Sequence, residues 1–259
     1  MSGHGQIGCA FKVINEDQKP SPSALRYYAW HALNYLSPVT HRHVLWLRRP
    51  NIAYFRVAKA ANSSIRTVLA QAFDIGASDT AIPNQNHFWA GRDGVSNLST
   101  AGYALRPDTR RTWAFSFVRH PVVRLHSCWN NKVIENPELS ADFQKMGVTR
   151  GMDFEDFVAR VGAVPDSHCD IHVVSQSAIL SWRGRVLPDF VGKVENAGED
   201  WAHVRSELLD RTGVDTGPLL RRNVRAGTGR EILENLPGRV VDAIRTRYAE
   251  DFRLFYPDE

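Results

Sequence analysis

Twice in this chain a short, mostly apolar run gives way to a basic side chain and then to an amphipathic helical pattern. The first case is residues 52–69, IAYFRVAKAANSSIRTVL, with Lys59 at the break. The second is residues 113–132, WAFSFVRHPVVRLHSCWNNK, with Arg119 at the break. Apolar runs this short read as buried strands, whereas Ile65, Val68, Leu69 and Phe73 recur at the three-to-four spacing of one helix face. A strand that feeds a helix, repeated along a chain, calls for an α/β fold with a mostly parallel sheet and helices flanking it.

The rest of the chain fits around these two turns. Residues 1–23 read as a flexible arm ended by Pro20, Ser21, Pro22 and Ser23. Residues 24–259 read as a single domain, opening with a helical stretch over 24–36 (Leu25, Tyr28, Ala32 and Leu36 on one stripe). His41 and His43 flank a basic apolar segment, HRHVLWLRRP, and lack the further ligands a metal site needs. Residues 74–112 are polar, Gly-rich and irregular, and a long loop of that kind is often functional. Pro121 suits the first turn of a helix over 122–133. Beyond it the pattern predicts a helix over 153–161, a third strand within 187–194, a helix over 199–209, a basic loop over 219–230 and helix over most of 231–252.

Composition narrows the class. Only six of the 32 basic residues are lysine, so the net charge of +4 is carried largely by arginine, whose planar fork suits phosphate and carboxylate. Cys9, Cys128 and Cys169 are odd in number and scattered, which argues against a disulfide framework or a zinc site and for a reducing compartment. The first twenty residues lack an apolar signal core, and nowhere is there a run of about 18 apolar residues. The expectation is a cytoplasmic protein with no membrane span.

Phosphate recognition needs backbone N–H donors, hydroxyls and a cation around one point, and a helix N-terminus supplies the first of these. Ala60, Ala61, Asn62, Ser63 and Ser64 meet that need. The small residues allow close approach, while Asn62, Ser63 and Ser64 can also cap a helix that binds nothing. Lys59 can reach across as a point charge. The stretch is not a Walker A loop, because G-x-x-x-x-G-K-[ST] is absent and the lysine precedes the loop. In the second stretch Arg119 ends a strand and Ser127 lies eight residues on, on the helical face of Arg124. The two can converge on a second phosphate.

These stretches, with DFVGKVENAGEDW over 189–201 and RYAEDFRLFY over 247–256, resemble the PAPS-dependent sulfotransferases, and most closely their carbohydrate (family 2) branch. The second motif, V-R-x-P-x-x-R-L-x-S, is matched by Val118, Arg119, Pro121, Arg124, Leu125 and Ser127. The resemblance implies a P-loop-like three-layer fold. It implies a first loop, with Lys59 and residues 60–64, that holds the 5′-phosphosulfate of PAPS (3′-phosphoadenosine 5′-phosphosulfate). It implies a second turn whose Arg119 and Ser127 hold the 3′-phosphate. Ala58, Ala61 and Asn62 depart from the commoner proline, glycine and threonine of that loop, yet leave its donors in place. A late basic loop covers the nucleotide in such enzymes, which points to Arg221, Arg222 and Asn223.

Sulfuryl transfer by in-line displacement then needs a cation at the bridging oxygen, for which Lys59 is the candidate, and a base for the acceptor proton. His87 and His172 are the candidates for the base. His172 lies in D-I-H-V-V-S-Q, which resembles an H-x-x-x-Q segment ending at Gln176; His126 and Glu195 are weaker alternatives. No metal is called for. The expected partners are PAPS and a carbohydrate or small-molecule acceptor carrying a hydroxyl or amine, and the acceptor's identity and the oligomeric state are not written in the sequence. Two other classes stay open: a nucleotide-dependent phosphotransferase, and a basic nucleic-acid-binding protein that would explain the pI of about 9.1.

Overall fold

The computed structural model describes residues 42–76, 83, 85–219 and 229–259. The expected arm over 1–23, the helical stretch over 24–36 and most of the basic loop over 219–230, with Arg221, Arg222 and Asn223, lie outside the described residues.

A five-stranded sheet forms the centre. Strands β1 (Val44–Leu47) and β2 (Ile52–Phe55) make an antiparallel hairpin, in register from Leu47 opposite Ile52 to Val44 opposite Phe55. Its turn carries Asn51 at φ 55°, a left-handed conformation that asparagine tolerates better than most residues. Strand β3 (Val95–Leu98) pairs antiparallel with the far edge of β1. Strand β4 (Trp113–Val118) runs parallel to β2. A separate two-stranded ribbon, β5 (Ser181–Trp182) and β6 (Arg185–Val186), precedes β7 (Phe190–Lys193), which runs parallel to β4. The sheet order is β3-β1-β2-β4-β7.

The sheet is mixed but runs mostly one way: β2, β3, β4 and β7 share a direction, and β1, antiparallel to both β2 and β3, opposes them. Two of its strands were not legible in sequence. Strand β1 sits inside a segment that reads as basic, and β3 has the half-polar sequence VSNL.

Both faces of the sheet are covered. Val44, Trp46, Ala53, Phe55, Ala114 and Val118 pack on one side against α2 (Pro121–Trp129), α3 (Phe154–Gly162), α5 (Gly238–Arg247) and α6 (Ala249–Phe255). Leu45, Leu47, Ile52, Tyr54, Trp113, Phe115 and Phe117 pack on the other against α1 (Asn62–Ala72) and α4 (Ala197–Thr212). The strict alternation along each strand, with every residue of β1, β2 and β4 buried, is the pattern of a sheet enclosed on both sides. Gly192 is required in β7, because a Cβ there would come within 2.8 Å of the Phe117 ring.

One consequence of this packing positions the site. Strands β2 and β4 are parallel neighbours, yet the helix after β2 goes to one face of the sheet and the helix after β4 to the other. The two connections part at the carboxyl ends of the strands, the usual ligand position in open α/β sheets. Lys59 and Arg119 stand in the two loops that part.

Other expected elements appear with shifted bounds. The helix expected over 122–133 is α-helical to Trp129 and continues as a π-helical turn, Asn130–Glu135. Asp153 caps α3 by accepting the Asp156 N–H at 2.8 Å. The C-terminal helical stretch is broken before Pro237 and again at Tyr248 into Gly229–Asn235, α5 and α6. Among the described residues no helix is long and apolar enough to cross a membrane.

Candidate active site

The first loop is shaped to expose donors. Lys59 and Ala61 have φ of 67° and 56°, so left-handed residues stand on both sides of Ala60. Alternation of this kind turns successive N–H groups toward one side, as in an anion-binding nest. Helix α1 begins immediately after. Its first turn holds no acidic residue and Ala61 supplies no side-chain cap, so no side chain among the described residues caps its leading N–H groups, although the Ala60 N–H just before it donates to the Val57 carbonyl at 3.3 Å. The Asn62 side-chain amide oxygen is buried with no partner among the described residues. The hydroxyls of Ser63 and Ser64 likewise make no hydrogen bond to the described residues. An anionic group fits this cradle: turned about its amide, Asn62 would donate to it alongside the two hydroxyls and the helix N–H groups.

The second turn is built differently. Its backbone donors are already used. The Arg119 N–H donates to Gln176 Oε1 at 2.9 Å, and Gln176 Nε2 donates back to the Arg119 carbonyl at 2.9 Å. Gln176 is fully buried, and its own N–H donates to Asp251 Oδ2 at 2.9 Å. The His120 N–H donates to Glu195 Oε1 at 2.9 Å. The next residue is Pro121, which has no N–H. What this turn offers is side chains. The Arg119 guanidinium and the Ser127 hydroxyl make no hydrogen bond to the described residues. Burial draws the Arg119 pKa below its ordinary value, opposed by the nearby Glu195 and Tyr256.

Three segments meet here. Lys59 Nζ donates to Asn131 Oδ1 at 3.0 Å, which ties the first loop to the π-helical turn that extends α2. The buried Arg124 donates through Nε to the Ala58 carbonyl at 3.0 Å and through Nη2 to the His172 carbonyl at 3.2 Å. Its guanidinium is thus a structural brace between the two turns and the segment that carries His172, although by sequence it shared a face with Ser127. The His172 ring has a partner of its own: its Nδ1 lies 2.7 Å from Asp170 Oδ1. Burial lowers the pKa of His172, Asp170 raises it, and the charges of Lys132 and Lys59 lower it again, so the ring sits below the ordinary imidazole range and is neutral at pH 7. Cys128 lies in the same region, where burial pushes its thiol up to about 12 against the pull of Lys59, Arg124 and Lys132.

The structure thus brings Lys59, residues 60–64 and His172 into one cluster, with Arg119 and Ser127 on the adjoining turn. No hydrogen bond among the described residues links His87 to them. His87 is exposed on a short 3-10 helix, Asn86–Trp89, and its ring makes no hydrogen bond to the described residues. The His126 ring packs on Trp129 and Phe154, with centroids at 5.3 and 5.0 Å. Glu195 is committed to the His120 N–H and the Tyr256 hydroxyl, the latter at 3.1 Å, so its partners are a backbone group and a phenol. Sequence reasoning missed Asn131, Asp170 and the task of Gln176. A DxH pair was there to be read, but the Gln176–Arg119 contact spans 57 positions and leaves no local signal. Among the described residues no group of three or more His, Cys, Asp or Glu side chains could hold a metal ion.

Fold and site define an α/β protein with two unlike basic turns side by side at the carboxyl ends of its central strands. The model of the sulfotransferase family matches residues 42–257, most of the chain, and the protein belongs to that family. It is a transferase enzyme whose family chemistry is sulfuryl transfer. No curated protein and no solved structure matches it.

Proposed function

We propose that this enzyme transfers the sulfuryl group of PAPS to a hydroxyl or amine of a carbohydrate or other small acceptor. The observation that carries the reading is the hydrogen bond from Lys59 to Asn131, together with the Arg124 brace, which makes the two basic turns parts of one crevice. The first turn, with Lys59 and residues 60–64, would hold the 5′-phosphosulfate on backbone N–H groups and hydroxyls. The second, with Arg119 and Ser127, would hold the 3′-phosphate. The arrangement is related in plan to P-loop enzymes, with the lysine moved ahead of the loop.

In the reaction the acceptor oxygen attacks sulfur in line. Its proton passes to His172, the new S–O bond forms, and the bond from sulfur to the bridging oxygen breaks, leaving the electron pair on the 5′-phosphate of 3′,5′-ADP. Lys59 stabilises the charge that builds on that oxygen. One such donor in a water-poor site contributes on the order of 3–4 kcal/mol. Of the two histidines expected as bases, His172 is favoured because it is neutral and tied through Arg124 to the loop that bears Lys59.

Calorimetric titration with 3′,5′-ADP and with 5′-AMP tests the donor site. Clear preference for 3′,5′-ADP is expected, and equal weak binding of both would remove Arg119 and Ser127 from the reading.

A further inference from the structure

His172 is held by more than one contact, and the contacts run in one direction. The Phe143 N–H donates to Ser140 Oγ at 3.2 Å, and the Ser140 hydroxyl donates to Asp170 Oδ2 at 2.5 Å. The other carboxylate oxygen, Oδ1, accepts the His172 backbone N–H at 2.9 Å and faces the ring Nδ1 at 2.7 Å. Asp170 is almost fully buried. Burial works to raise its pKa, but the bonds from His172 and Ser140 prevail and keep the carboxyl below its ordinary range, hence ionised. An ionised carboxylate only accepts, so Nδ1 must carry the proton. In the neutral ring the lone pair is then on Nε2.

We propose that Asp170 and Ser140 are positioning residues that fix His172 as the Nδ1–H tautomer, so that Nε2 is the atom that receives the acceptor's proton. This rests on the reading of His172 as the base. The backbone that carries the ring is held as well, because its N–H is bound by Asp170 and its carbonyl by Arg124. Among the described residues, the charged and titratable groups around it are Asp170 on its own segment, Lys59 on the first loop, and Lys132, Arg124 and Cys128 on α2 and its π-helical extension. Four of these would act similarly on either tautomer; only Asp170 selects one. The competing account is that Asp170 merely closes a local turn by accepting the His172 N–H.

Two measurements separate the accounts. Two-bond 15N–1H correlation spectra of the histidine rings, with His172 identified by its loss in His172→Gln, should give a neutral Nδ1–H ring in the wild-type protein. A neutral Nε2–H ring would overturn the proposal, and this spectrum needs no variant of Asp170 or Ser140 to fold. In Asp170→Asn the ring should lose its single tautomer and titrate at lower pH, since the carboxylate that favours the imidazolium is gone; an unchanged tautomer and titration would also overturn it. The second measurement is release of 3′,5′-ADP from PAPS with a pool of p-nitrophenyl glycosides as acceptors, compared with the rate in water alone. Asp170→Asn should slow it about 100-fold in the wild-type background, and less than about twofold in the His172→Gln background, because two residues acting as one unit are not additive. A further large loss in the His172→Gln background assigns Asp170 to structure and overturns the proposal. If His172→Gln alone turns over like the wild type, the base assignment fails, and the spectra still decide the tautomer.

Discussion

The two basic turns share a plan in sequence and differ in chemistry. Each follows a parallel strand of the same sheet and leads into a helix. After β2 the backbone is left open: two left-handed residues, an uncapped helix start, and an amide and two hydroxyls with no described partner. After β4 the backbone is closed by the buried Gln176 and by Glu195, and only the Arg119 and Ser127 side chains project. A backbone cradle fixes a group at close range and suits the end of a donor where charge develops. A long guanidinium on a clamped backbone suits a spectator anion that must be held but does not react. On this view the first turn governs turnover and the second governs affinity.

Substitutions can break that division. The largest expected effect is from Lys59→Ala, which should lower kcat about 10²- to 10³-fold while the dissociation constant for 3′,5′-ADP changes far less. A mirror-image result, with affinity lost and turnover kept, would merge the roles of the two turns. Next is Gln176→Leu, which strands the Arg119 N–H and carbonyl in a buried site. It should cost about 3 kcal/mol in urea denaturation, and a loss under about 0.5 kcal/mol would mean the clamp is not needed. Arg119→Ala should weaken 3′,5′-ADP by about 2 kcal/mol and leave 5′-AMP nearly unchanged. Ser127→Ala should do the same by about 1 kcal/mol. If either weakened both nucleotides equally, the second turn would not be reading the 3′-phosphate.

The two turns were legible because their information is local. A short apolar strand, a basic residue and a helix face lie within twenty positions of one another, and so the positions of Lys59 and Arg119 between strand and helix followed from sequence. The crevice was not legible in the same way. It depends on α1 and α2 leaving the sheet toward opposite faces, which is a property of packing. Strand β3 was hidden because an edge strand needs few apolar residues, and β1 because His43 and the arginines around it mask four buried residues. The difference between the turns was hidden too, since Gln176 and Glu195 reach the second turn from 57 and 75 positions away. In sequence His87 looked a somewhat better candidate than His172. Only the fold gives one of them a carboxylate at 2.7 Å and a tie to the first loop and leaves the other exposed on its short helix.

The most direct test of the division between the turns is calorimetry of 3′,5′-ADP and 5′-AMP on the wild-type protein, Lys59→Ala and Arg119→Ala in parallel. The expected pattern is a strong preference for 3′,5′-ADP in the wild type, the same preference in Lys59→Ala, and a preference cut by roughly 30-fold in Arg119→Ala. A preference undiminished in Arg119→Ala, or one that vanishes in Lys59→Ala, would contradict it.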